Sequence, residues 1–144
     1  MEDKNSSPDK SIDTSNRDYS TSPIVAMPAA IIDDDEQPWV DIGKGIKRKY
    51  YFSDRITMVY FEMTRAGQEE DGDRTHSHPH DQIAYILEGQ AEITIGEQVK
   101  EIGPGGVFIV PSNVRHNLIV LSEKVVAIDV FTPPREDFRQ DTQA

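Results

Sequence analysis

The chain contains no cysteine. Disulfide crosslinks and thiolate chemistry are excluded, cysteine usage says nothing of the redox compartment, and any metal must be held by His, Asp, Glu, Asn or Gln. Basic residues are scarce: 15 Lys and Arg stand against 26 Asp and Glu, a formal net charge of −11. Such a surface repels phosphate backbones and anionic lipid, so neither nucleic acid nor a membrane surface is expected as a partner. An anionic small molecule would need local basic residues. No apolar run approaches the roughly 20 residues of a membrane span. The opening MEDKNSSPDKSIDTSN also lacks the basic-then-apolar order of a secretory signal. The expected location is the cytoplasm.

A length of 144 residues suits one compact domain. Residues 1–37 are rich in Ser, Asp and Pro and carry nine acids against three bases, a net of −6. That composition buries too little apolar area to offset chain entropy, which predicts a disordered tail. Within it, IVAMPAAII (24–32) is interrupted by Pro28, which limits it to an edge strand or a segment docking on a partner subunit. From Trp39 the pattern changes. IKRKYYF (46–52), ITMVYFEM (56–63), QIAYILEG (82–89), AEITIG (91–96), VFIVP (107–111), NLIVL (117–121) and KVVAIDVF (124–131) are short, β-branched or aromatic, and bounded by turn residues. They predict an all-β sandwich or barrel. PREDFRQ, near the C-terminus, is the segment most compatible with a helix.

Histidine is also scarce, and its distribution is uneven. Of four in the chain, His76, His78 and His80 lie in HSHPH, and His116 follows in PSNVRH. In an extended chain i and i+2 share a face, so His76 and His78 point the same way, with His80 and Gln82 in the same parity. Neutral imidazoles bind Zn, Ni, Cu, Fe and Mn. The plainer alternative is a solvated His-rich loop with incidental metal affinity. Pro79 holds His78 extended and breaks the ladder before His80, which favours a supporting or exposed role for His80.

The surrounding residues resemble the two cupin motifs, G-x5-H-x-H-x(3,4)-E-x6-G and G-x5-P-x-G-x2-H-x3-N. His76, His78, Gln82 and Gly89 match the first, and Gly105, Pro111 and His116 the second. The resemblance implies a small jelly-roll barrel holding one divalent metal on His76, His78, His116 and Gln82, with Ni, Zn, Mn, Fe and Co all acceptable to such ligands. Glu70, Asn113 and Val120 depart from the pattern at its first Gly, its second-motif Gly and its final Asn. Gln82 stands where the motif has Glu. A carboxamide leaves the ion its full charge, which favours Lewis-acid polarisation over oxygen chemistry.

Four stretches together resemble the pectin-degradation protein KdgF family: PWVDIGKGIKRKYYF, HSHPHDQIAYILEG, PGGVFIVPSNVRH and DVFTPPREDF. The match spans about residues 38–138, which divides the chain into the 1–37 tail, a cupin domain and a short tail over 139–144. That family implies conversion of 4,5-unsaturated monouronates to the linear 5-keto-4-deoxyuronate, with catalytic roles falling on Asp129, Phe131 and Arg135. The substrate would be a small anionic sugar acid, and a homodimer is a reasonable assembly. Each residue also has a physical reading. Alternation places Ala127, Asp129 and Phe131 on one face of a strand whose two faces both look buried, so Asp129 needs a partner or a function. Phe131 alone would be core. Arg135 could clamp a carboxylate or simply pair with Glu136 or Asp137 at the surface. Lys47 and Lys49 are expected on a solvated edge, with Arg48 on the opposite face as an outside candidate for anion binding. The alternatives are another cupin metalloenzyme, an oxygenase or lyase, and a non-catalytic metabolite-binding cupin.

Overall fold

The computed structural model describes residues 29–68 and 74–142. Residues 1–28, with most of the IVAMPAAII patch, and Glu70 lie outside the described residues.

Nine strands form two antiparallel sheets: β1 (Val40–Gly43), β2 (Ile46–Phe52), β3 (Thr57–Thr64), β4 (Asp81–Glu88), β5 (Ala91–Ile95), β6 (Gln98–Ile102), β7 (Val107–Val110), β8 (His116–Val120) and β9 (Lys124–Thr132). The larger sheet runs β1-β2-β3-β9-β4-β7 and the smaller β6-β5-β8. A single helical turn, α1 (Glu136–Arg139), follows β9. The all-β expectation is borne out, and all seven predicted strands are present. Two strands were not legible. β1 is four residues long, and β6 is QVKEI, almost wholly exposed. β6 forms because Gly96, at φ +58, allows a tight two-residue turn that folds Gln98 back against Ile95.

Strand period puts the core between the sheets. In β4 the side chains of Gln82, Ala84 and Ile86 are buried while Ile83, Tyr85 and Leu87 face out. The inner face carries registered rows across the sheet. Phe52, Thr57, Phe131, Gln82 and Val110 form one, and Tyr50, Val59, Asp129, Ala84 and Phe108 the next. This register sets Asp129 one row from Gln82, although they are 47 residues apart in sequence.

Two sequence expectations need correction. β9 is not buried on both faces: Ala127 and Phe131 are inside, but Val130 is exposed, because nothing among the described residues covers it on the outer side of the sheet. Lys49 is not on a solvated edge either. β2 lies between β1 and β3, and Lys49 is buried with its ammonium on the Asp34 carboxylate at 2.8 Å and over the Trp39 ring. Contacts also run past residues 38 and 138. Gln37 donates from Nε2 to the Tyr50 carbonyl, and the Arg139 guanidinium stacks on Phe52.

Candidate metal centre and its pocket

His76 and His116 are brought together by backbone pairing. The His76 amide donates to the His116 carbonyl at 3.1 Å, and the His116 amide donates back at 2.9 Å. A third bond anchors the loop before β8, where the Asn113 amide donates to the His78 carbonyl at 2.7 Å. Asn113 has φ +66, the left-handed region that favours glycine and admits Asn, which explains why Asn stands at the motif's Gly. The histidine ligand atoms of His76, His78 and His116 consequently lie within 4.8 Å of one another. His78 and His116 are buried; His76 is exposed.

The ring orientations decide what this cluster can do. Each Nδ1 meets a backbone carbonyl: His76 that of Arg74 at 2.8 Å, His78 that of His80 at 3.1 Å, and His116 that of Val114 at 2.8 Å. Carbonyls only accept, so for His76 and His116 the neutral ring carries its proton on Nδ1 and keeps a lone pair on Nε2. Burial pushes the His116 imidazolium down to about 4 and lowers that of His78 too, so both are neutral at pH 7. His116 Nε2 is buried without a partner among the described residues.

Gln82 completes the set. Its Nε2 donates to Asp129 Oδ1 at 3.0 Å, and this bond fixes the amide so that Oε1 turns toward His78 Nε2, also at 3.0 Å. His78 thus meets a carbonyl oxygen at each ring nitrogen, and the single proton of its neutral form serves only one of them. Such a converging group of acceptors, with one buried nitrogen unpartnered, fits a cation. His80 stands outside the cluster. Its carbonyl orients His78, and its ring packs edge-on to Phe131 at 6.4 Å. A supporting position is therefore what the fold gives it.

The cluster opens into a cavity of about 300 Å³ that Asp129, Phe131, Arg48 and Arg135 also line. That volume is at the small end of ligand pockets and suits a single sugar ring. Burial pushes the Asp129 carboxyl up to about 6; the Gln82 amide and the Arg48 and Arg135 charges restrain the rise. Phe131 is buried, edge-on to His78 at 5.6 Å, and the Arg135 guanidinium lies 4.8 Å over its ring. Arg135 satisfies both sequence readings at once: it lines the pocket, yet donates from Nε and Nη2 to the Asp137 carboxylate at 3.0 and 2.8 Å. The buried Thr57 hydroxyl accepts the Arg135 amide and fixes where this segment leaves the barrel.

The place of Arg48 was legible in outline. It shares strand parity with Ile46, Tyr50 and Phe52, so it faces the interior. Phe138 was missed: from the C-terminal turn it stacks against both Arg48 and Arg135. Nothing in PREDFRQ indicates that its phenyl ring returns to the barrel.

Residues 61–131 match the cupin domain family. The chain is 36% identical over 107 residues to the pectin degradation protein KdgF of Dickeya dadantii, covering 73% of this chain and 94% of that protein. Among solved structures, KdgF from Halomonas sp. superposes with a TM-score of 0.68 at 27% identity, over 77% of this chain and 99% of that one. An RmlC-like cupin from Shewanella frigidimarina gives the same TM-score at 26% identity, over 78% and 98%. Barrel, paired motifs and sequence likeness agree, and the chain belongs to the cupin superfamily and, within it, to the family of the pectin degradation protein KdgF.

Proposed function

We propose that the protein converts 4,5-unsaturated monouronates to the linear 5-keto-4-deoxyuronate, using a divalent metal held by His76, His78, His116 and Gln82. The observation that carries this reading is the Gln82 amide, which ties a carboxylate with a raised pKa to a cluster of imidazoles in a sugar-sized pocket. A bound divalent ion there would supply Lewis-acid polarisation of a substrate oxygen. The rest falls to the chain. Asp129, largely ionised at pH 7, takes the proton of the anomeric hydroxyl; as the C1–O bond to the ring oxygen breaks, the freed electron pair makes an enolate. A proton returned to C4 converts that enolate to the ketone. Substrate and product have the same composition, so a group that holds and releases one proton is sufficient. Phe131 walls the site and keeps water from the reacting carbons. Arg135 faces the substrate carboxylate with the guanidinium edge that Asp137 leaves open.

Metal-loaded protein is expected to remove the alkene absorbance of a 4,5-unsaturated galacturonate faster than the sugar decays alone. Equal rates with and without protein would sink the reading.

Homodimer formation belongs to the same proposal. The outer side of β9, β4 and β7 carries Val130, Ile83, Tyr85, Val107 and Ile109, all exposed and in register, and the row ends at β7, whose outer edge is unpaired among the described residues. A second copy is the occupant that two-fold symmetry supplies at no cost in specificity. Sedimentation should give a dimer at micromolar concentration that Ile109→Lys converts to monomer; a monomeric parent protein would contradict it.

A further inference from the structure

The pocket holds two guanidiniums. Arg135 lies 3.9 Å from the Phe138 ring centroid and Arg48 4.6 Å, so one aromatic ring positions both. Both line the cavity that Asp129 lines, which places them around the same reaction space. Their commitments differ. Arg135 gives its Nε and Nη2 to Asp137 in a close bidentate pair. Arg48 reaches the Tyr50 hydroxyl at 3.4 Å and an Asp141 carboxylate oxygen at 3.8 Å, the second beyond hydrogen-bond range. Those are its polar contacts among the described residues.

Asp141 is drawn away from Arg48 by Tyr50, whose hydroxyl donates to the same Asp141 oxygen. Arg48 therefore has a fork of five donors with little to bind, in a pocket, in a chain whose net charge is −11. A carboxylate that meets the open edge of Arg135 finds in Arg48 a second guanidinium, whose donors are not committed to a neighbouring carboxylate as two of those of Arg135 are.

We propose that Arg48 is the specificity-determining residue for the acid group of the substrate, joining Arg135 on its carboxylate from the Phe138 side, while Asp141, 3.8 Å away, competes for the same guanidinium. The inference rests on the sugar-acid reading above. It is separable from the reaction because it predicts selective binding without turnover.

The test uses saturated galacturonate, which has no alkene to isomerise, and galactose, which has no carboxylate, each titrated calorimetrically into metal-loaded full-length protein. The parent binds galacturonate more tightly than galactose. Arg48→Met is expected to weaken galacturonate about 10- to 100-fold, the loss of charge-assisted hydrogen bonds, and to leave galactose unchanged. Arg48→Lys recovers part of the difference, since it restores charge without the planar fork. Asp141→Asn serves as the second variant should Arg48→Met fail to fold: without its carboxylate competitor, Arg48 binds galacturonate several-fold more tightly.

Equal loss for acid and neutral sugar would reduce Arg48 to a structural role and overturn the proposal. So would a parent protein that fails to discriminate the two sugars, or an Asp141→Asn protein that binds galacturonate no better. Turnover of the unsaturated uronate, followed on the same preparations, reports on the reaction separately: selective binding without isomerisation rejects the reaction and supports Arg48.

Discussion

Asp129→Asn is expected to lower turnover of the unsaturated uronate by about 10²- to 10⁴-fold, the contribution of one positioned acid or base. The substitution is nearly isosteric, and the asparagine oxygen can still accept from Gln82, so metal content should not change. The same variant is expected to be more stable in the metal-free protein at neutral pH. Burial raises the Asp129 pKa from 3.8 to about 6 on folding, so between those values the folded state binds more protons than the unfolded chain, and stability falls as pH rises through the interval. Above pH 6 the ionised carboxylate costs up to about 3 kcal/mol relative to a neutral side chain, by the conversion of 1.36 kcal/mol per unit. Below pH 3.8 both states are protonated and the difference disappears. Melting curves of parent and variant at pH 3.5 and 7.5, alongside turnover, check this; undiminished turnover would place the catalytic proton elsewhere, and a variant no more stable than the parent at pH 7.5 would mean that folding does not raise the Asp129 pKa.

Gln82→Glu carries the second large effect. It restores the residue that the cupin motif has at this position, and a carboxylate is at least as good an oxygen ligand as an amide, so metal is retained. The proton-transfer group is what suffers. Gln82 donates to Asp129 at 3.0 Å, and glutamate has no N–H to offer. Two carboxylates at that distance share one proton, which raises the apparent pKa of the pair. A rise of about two units would cut the ionised fraction of Asp129, and with it turnover near neutrality, about 10-fold, with the acid limb of the pH–rate profile moved upward. Metal analysis and a pH–rate profile on one preparation separate these effects. Unchanged activity would mean that the amide bridge does not position Asp129.

This bridge gives Gln82 a reason beyond charge. The sequence shows that a carboxamide replaces a carboxylate, from which a more strongly polarising ion follows. It does not show that the amide must face two ways, an acceptor toward the histidines and a donor toward a carboxylate on the neighbouring strand. That second demand excludes Glu independently of the metal.

The sequence by itself determined the all-β architecture, because strand period and turn residues are local properties, and seven of the strands follow from them. It also isolated His76, His78, Gln82 and His116, since the two cupin motifs are short strings at fixed spacing. Asp129 stood out as a polar residue in an apolar strand. Pairing across the chain was decided only in three dimensions. The bond from Gln82 to Asp129 depends on the register of β4 against β9, and the Nε2 lone pairs of His76 and His116 depend on carbonyls two residues away turning toward each ring. Lys49 and Arg48, neighbours in sequence, have opposite fates for the same reason. One is buried beneath Asp34 and Trp39 on the outer face, and the other points into the cavity beside Phe138. Local sequence sets which residues share a face, whereas what covers that face is supplied by distant segments, and only packing brings those into place.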